Sequence, residues 1–277
     1  MNTIVLKEVL SPSIKKYVID NPDIAAKAEA GQFVILRIHE KGERIPLTIA
    51  DFNRENGTVT IIFQEVGNTT KRLGKLEVGD KILDFVGPLG VPTTPPEGKN
   101  YVCIGGGVGI APIYPEAKAL HKQGKQVKGI LGGRSKEVLF YEEEMGKVCD
   151  ELHIATDDGS VGHKGFVTDI LKELITDDSV QIDGVIAVGP LPMMKAVCDI
   201  TKEFNIPTTV SLNSLMVDGT GMCGGCRVTI GNEVKFACID GPSFDGLKVD
   251  FDEQMRRLRM YREEEQKVTG CQCGGEC

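Results

Sequence analysis

The hydrophobic pattern of this chain changes character near Asn100, and that change restricts it to a mixed architecture. Before Asn100, short apolar runs such as QFVILRIH (32–39) and TVTIIF (58–63) are broken by Gly, Pro and Asn, with a helical period only near Lys71. Short strands with turn punctuation predict a small antiparallel barrel. After Asn100, runs such as YVCIGGG, VKGILGG, LHIATDD and GVIAVGP alternate with helical stretches such as IAPIYPEAKALHKQG. Continuous apolar strands alternating with helices predict a doubly wound parallel sheet. The Pro-rich stretch VPTTPPEG (91–98) separates the two patterns. The expected division is therefore a barrel over 1–92, an α/β domain over 98–210, a small lobe over 211–250, and a terminal segment over 251–277. A charged helix is expected at 251–267, with Phe251, Met255, Leu258 and Tyr261 on one face. A length of 277 residues suits two medium domains plus a lobe.

The lobe carries the most specific chemistry. Asp218, Cys223, Cys226 and Cys238 are spaced D-x4-C-x2-C-x11-C within VDGTGMCGGCRVTIGNEVKFAC. Plant-type [2Fe–2S] proteins use C-x4-C-x2-C followed by a distant fourth cysteine. Here an aspartate holds the first position, and carboxylate matches thiolate in charge and reach. Gly219, Gly221, Gly224 and Gly225 allow the backbone to wrap closely around such a cluster. C-x2-C alone also fits a zinc knuckle or two buried cysteines in a turn. The longer pattern favours a [2Fe–2S] cluster with Asp218 as a terminal ligand.

Composition removes several function classes. A net charge of -8 and pI ≈ 5.2 argue against nucleic acid as a partner. No run approaches the roughly 18 apolar residues of a membrane span, and MNTIVLKEVL reads as a strand, not a leader. Nine cysteines without a leader point to the reducing cytoplasm and to metal ligation. Cys103, Cys149 and Cys198 lie apart in apolar segments and read as small core residues.

Further motifs fall at the expected carboxyl ends of the parallel strands, the edge where doubly wound sheets bind ligands. Gly105, Gly106, Gly107, Val108 and Gly109 lead from strand to helix, with Pro112 just beyond. Such a turn brings backbone N–H groups close to phosphate; taken alone it is also an ordinary tight turn. GGRS (132–135), Asp157-Asp158-Gly159 and Gly189-Pro190 with Met193 end the other strands. In the barrel, Arg44 suits a pyrophosphate and Thr48 a flavin ring edge. The alternative is an edge strand that tolerates Pro46. Gly67 and Thr70 open a short helix that suits a phosphate or is simply capped.

In this order, R-x-P-L-T (44–48), G-x-x-T (67–70), GPLG (87–90) and GGGVGIAP (105–112) resemble the ferredoxin-NADP reductase superfamily over essentially residues 1–250. With the cluster motif added, the chain resembles the electron-transfer subunits of class B dihydroorotate dehydrogenase, from whose four-cysteine motif it departs at Asp218. MVDGTGMCGGCRVT looks more like the small subunits of NADH-dependent ferredoxin:NADP+ oxidoreductases, which bifurcate electrons with a larger partner. The resemblance implies an oxidoreductase subunit with FAD, a [2Fe–2S] cluster and NAD(H). Arg44, Pro46, Leu47, Thr48, Gly67 and Thr70 would contact FAD. Gly105 to Gly109, Pro112, Asp157, Asp158, Gly159, Gly189, Pro190 and Met193 would surround the nicotinamide nucleotide. Hydride would pass between NAD(H) and flavin, and single electrons through the cluster to a larger flavin and iron–sulfur subunit that serves ferredoxin. Hydride transfer requires no acid, base or nucleophile, so no catalytic residue is assigned.

Arg134 suits a 2′-phosphate, yet no acidic ribose partner is evident, so the preference for NADH rests on the resemblance. Cys271, Cys273 and Cys277 have metal-like spacing or form an exposed end. Arg256, Arg257 and Arg259 with Glu263 to Glu265 read as a solvated face or a partner contact.

Overall fold

The computed structural model describes residues 2–260. The first region is an antiparallel barrel of β1 (Thr3–Ser11), β2 (Ile14–Asp20), β3 (Phe33–Arg37), β4 (Ile45–Asn53), β5 (Thr58–Gln64) and β6 (Asp84–Leu89). The order is β1-β2-β5-β4-β3-β6. The segment before β6 closes the circuit: Ile4 N–H donates to the Asp80 carbonyl at 2.9 Å and Ile82 N–H to Asn2 at 3.0 Å. Pro46 sits where β4 pairs only with β3, because pairing with β5 begins at Ile49. Its missing N–H therefore costs no ladder bond on the β5 side. Tyr17 and Phe63 cross edge to face at 5.2 Å in the barrel core, and the buried Tyr17 hydroxyl lies 2.8 Å from the carbonyls of Leu73 and Leu76. Two short helices decorate the barrel, α1 (Pro22–Lys27), capped by the Asn21 side chain, and α2 (Asn68–Leu73).

Residues 91–98 carry neither strand nor helix. The second region is built from β7 (Asn100–Gly106), α3 (Ile110–Lys122), β8 (Gln126–Gly133), α4 (Glu142–Gly146), β9 (Glu151–Thr156), β10 (His163–Lys164), α5 (Val167–Thr176), β11 (Gly184–Val188), α6 (Leu191–Glu203) and β12 (Thr208–Ser211). Strand alternation assigns two buried faces. Tyr101 and Cys103 of β7 pack with Ile113, Ala117 and Leu120 of α3, while Val102 and Ile104 pack with α5 and α6 residues such as Leu171 and Met194.

The lobe consists of the hairpin β13 (Arg227–Ile230) and β14 (Glu233–Phe236), α7 (Ala237–Asp240), β15 (Ser243–Asp245) and α8 (Phe251–Arg257). The hairpin turns at Gly231-Asn232, with Gly231 at φ 62°. β15 adds antiparallel to β12, so the large sheet runs β10-β9-β8-β7-β11-β12-β15. The lobe is thus an extension of the nucleotide sheet. Of the helix expected over 251–267, residues 261–267 lie outside the described residues, and α8 ends at Arg257. It gives way to a turn over 258–260, and Leu258 is exposed. Gln254 is buried in its place: its Nε2 donates to the Arg227 carbonyl at 2.9 Å and its Oε1 faces Ser214. Tyr261, Glu263 to Glu265 and Cys271, Cys273 and Cys277 lie outside the described residues.

Candidate functional site

The four proposed cluster donors form two pairs, with Asp218, Cys223 and Cys226 on the loop before β13 and Cys238 on α7 beyond the hairpin. The Asp218 carboxylate accepts from Thr220 N–H at 3.0 Å and from Met222 and Cys223 N–H at 2.9 Å each. These donors, Thr220 first, hold Asp218 below the usual carboxylate range, and the Cys223 thiol beside it adds to the effect. Cys226 and Cys238, both buried, bring their sulfurs to 3.3 Å. Burial, reinforced by the Cys226 thiol, pushes Cys238 up to about 12, while the Gly221 N–H pulls the other way. A buried thiol without a cation stays protonated, whereas a bound metal deprotonates it outright. Among the described residues, no group of three or more His, Cys, Asp or Glu side chains converges on one ion. Two pairs, Asp218 with Cys223 and Cys226 with Cys238, suit a two-iron cluster better than a single tetrahedral ion. Gly219, Gly221 and Gly224 have φ of 78°, 84° and 67°, which lets the loop curl its N–H groups inward.

The glycine-rich rim gathers the nucleotide candidates. β7, β8, β9 and β11 are parallel neighbours, so Gly105 to Gly109, Gly133-Arg134, Asp157 to Gly159 and Gly189-Pro190 share one sheet edge. Asp157 N–H donates to the Gly133 carbonyl at 3.1 Å and Asp158 N–H to that of Arg134 at 3.2 Å. Met193 folds its thioether over the rim: a Cβ on Gly106 would lie 2.3 Å from its sulfur, and one on Gly189 2.7 Å from its methyl. Gly107 is different. At φ 56° it faces open space, with nothing within 4 Å of a built Cβ. Pro112 lies in the first turn of α3, where a missing N–H leaves no helical bond unmade.

The barrel candidates have partners within the protein. Thr48 and Leu47 pair with Phe33 and Val34 of β3. The Thr70 hydroxyl is engaged locally, accepting from Gly67 N–H at 3.0 Å and Val66 N–H at 3.1 Å, and Thr69 bonds the Glu43 carboxylate. Arg44 reaches across to the cluster loop, donating to the Val217 carbonyl at 2.8 Å and the Asp218 carbonyl at 3.4 Å.

Glu116 escaped the reading of the sequence. It is buried on α3, its carboxyl accepts from the Thr93 hydroxyl at 2.6 Å, and Thr93 in turn meets Ser243 of β15 at 2.8 Å. Burial pushes its acid up to about 7, with the Thr93 hydrogen bond opposing. The signal was present: Glu116 falls on the apolar stripe Ile113, Ala117, Leu120.

Residues 213–250 match the iron-sulfur cluster binding domain of dihydroorotate dehydrogenase B, and residues 103–199 match the oxidoreductase NAD-binding domain. A Thermotoga maritima homologue of the dihydroorotate dehydrogenase B (NAD(+)) electron transfer subunit is 47% identical, over 96% of this chain and 93% of its own. The chain belongs to this family of electron transfer subunits. Another relative, an uncharacterized protein from the adh 3′ region of Clostridium beijerinckii, is 50% identical over the full length of both. Among solved structures, a chain of the NADH-dependent reduced ferredoxin-NADP oxidoreductase, studied for flavin-based electron bifurcation, superposes with a TM-score of 0.91 at 45% identity, covering 97% of this chain and 96% of that one. Phthalate dioxygenase reductase, at 17% identity and a TM-score of 0.59, shares the fold. Among the described residues, no helix is long and apolar enough to cross a membrane.

Proposed function

We propose that this chain is the FAD-, NAD(H)- and [2Fe–2S]-binding electron-transfer subunit of a cytoplasmic NADH-dependent reduced ferredoxin:NADP+ oxidoreductase. When bound, the cofactors supply hydride exchange with the nicotinamide and one-electron passage to a partner. The residues supply binding and geometry. Arg44, Pro46, Leu47, Thr48, Gly67 and Thr70 border the flavin. Gly105 to Gly109, Pro112, Arg134, Asp157, Asp158, Gly159, Gly189, Pro190 and Met193 border the nucleotide, with Gly107 leaving space for close approach. Asp218 with Cys223, and Cys226 with Cys238, hold the cluster. The boundaries 1–92, 98–210, 211–250 and 251–277 serve as the working division of these tasks.

The observation that carries this reading is the end-to-end likeness to a chain of the ferredoxin-NADP oxidoreductase. Cys223 and the apolar Val217, Met222 and Ile239 are exposed around the loop. That collar suits a larger flavin and iron–sulfur subunit, which would shield the cluster and receive its electrons. The second reading, the electron-transfer subunit of NAD-dependent dihydroorotate dehydrogenase, is favoured by the names of the relatives. Anaerobic purification from the native host, with identification of the co-purifying chain, separates the two. A larger flavin and iron–sulfur chain is expected; a dihydroorotate-oxidising chain would transfer the assignment to the second reading. A 30.0 kDa chain that elutes alone and reduces ferredoxin with NADH would remove the subunit reading altogether.

A further inference from the structure

We propose that Arg44 is a positioning residue that fixes the cluster loop to the flavin barrel. Its Nε donates to the Val217 carbonyl at 2.8 Å and a terminal nitrogen lies 3.4 Å from the Asp218 carbonyl. The guanidinium therefore grips the backbone of the residue read as the cluster's oxygen ligand. A second feature holds the same point. A Cβ on Gly219 would lie 2.6 Å from Cδ1 of Ile35 on β3 and 2.9 Å from Cδ1 of Leu89 on β6, so the loop backbone rests directly on the barrel. Phe33 and Ile35 share one apolar core with Cys226 and Cys238. The other limb of the loop is held from elsewhere: Arg257 of α8 donates to the Gly225 carbonyl at 3.1 Å. The Arg44 grip joins the loop to the start of β4, the strand proposed to carry flavin contacts.

Arginine suits this task because its planar fork carries five donors. Two are engaged on the loop, leaving others free for an anionic flavin group. Its charge also lies beside the cluster site, where positive charge favours the reduced cluster. Lysine keeps the charge for phosphate but lacks the fork. The two duties are thus separable by substitution.

This inference rests on the ligand reading of Asp218. The test uses full-length protein isolated anaerobically, with iron, sulfide and FAD quantified, and compares Arg44→Lys, Arg44→Ala and Asp218→Cys. The readouts are the electron paramagnetic resonance spectrum of the reduced cluster and its midpoint potential. Arg44→Lys is expected to show displaced or broadened g-values, read at matched FAD content because Arg44 also borders the flavin. Arg44→Ala is expected to show the same disturbance with a more negative potential; lost iron in a protein with an unchanged melting curve counts as the same loss of loop positioning. If Arg44→Ala unfolds, Arg44→Lys decides. Wild-type spectrum and potential in both Arg44 variants at full iron content, with Asp218→Cys altered, would overturn the positioning role alone. An unaltered Asp218→Cys would instead remove the ligand reading on which it rests.

Discussion

The rim of the nucleotide sheet and the cluster loop are both rich in glycine, for different reasons. At the rim, Gly105, Gly106 and Gly109 are small because neighbours occupy the space of a side chain: Ile113, the Met193 sulfur and the Val188 carbonyl respectively. In the loop, Gly219, Gly221 and Gly224 share a positive φ, with the ends of Ile35 and Ile239 also close at Gly219 and Gly221. The rim solves a packing problem and the loop a conformational one. The rim can therefore be injured through its packing, whereas the loop is injured through its shape.

At Gly109 the neighbours are backbone atoms. A methyl there would lie 2.3 Å from the Val188 carbonyl oxygen and 2.8 Å from the Gly189 Cα, both backbone. Backbone cannot swing aside, so β11 and α3 must separate. Gly109→Ala is expected to destabilise the chain by about 3 kcal/mol and to abolish nucleotide binding. Thermal melting and a nucleotide titration measure both. A wild-type melting temperature would show that the rim is not space-limited.

Glu116 joins the two regions, since its helix starts at the rim and Thr93 links it to Ser243 in the lobe. Its acid rises from 4.5 to about 7 through burial. Between those values the folded protein holds a proton that the unfolded chain releases. Its stabilising contribution is full below about pH 4.5 and lost as pH rises through about 7. The difference amounts to on the order of 3 kcal/mol. Glu116→Gln keeps an acceptor for Thr93 and removes the titration. Urea midpoints by circular dichroism from pH 5 to 8 should fall for the wild-type protein and stay level for the variant. Parallel slopes would detach the junction from Glu116.

Much of this was legible in the sequence, and what was not has a physical cause. The switch of period at Asn100, the doubly wound sheet and the rim motifs were readable because strand alternation and strand-to-helix glycines are local signals. The spacing of Asp218, Cys223, Cys226 and Cys238 stood out in the sequence because a ligand set of this kind keeps fixed intervals, and the structure brings Cys226 and Cys238 together. Long-range placement was not readable. Nothing local tells that Arg44 meets a carbonyl 173 residues away, or that β15 returns to β12 as an added edge strand. Among the described residues α8 ends at Arg257, with Leu258 exposed and the polar Gln254 buried through bonds to Ser214 and Arg227. Hydrophobic period alone cannot register a polar residue whose partners lie on other elements.

In the loop, Gly219→Ala alters backbone shape. The positive φ of 78° costs an L-residue roughly 1–2 kcal/mol. The methyl would also press on the ends of Ile35 and Leu89, which are side-chain atoms and not backbone. The barrel and sheet should therefore stay folded while iron content falls severalfold. Iron analysis beside a circular dichroism spectrum decides it. Full iron in the variant would mean that the loop's shape tolerates change and that its glycines are incidental.

Gly107 is the rim glycine that behaves like a loop glycine, and it carries the smallest expected effect on stability. Its φ is 56° and nothing lies within 4 Å of a built Cβ, so Gly107→Ala meets no neighbour and incurs only backbone strain of about 1 kcal/mol. The melting temperature should shift by only a few degrees. The open space beside it is where a pyrophosphate would approach the N–H groups that precede α3. A methyl there stands in the ligand's path and not in the protein's, so affinity for NADH should fall about tenfold, a loss of about 1.4 kcal/mol. Isothermal titration with NADH, run against the melting curve, separates the two quantities. If stability drops strongly while affinity holds, Gly107 belongs with its packed neighbours at Gly106 and Gly109, and the open space beside it does not receive the nucleotide.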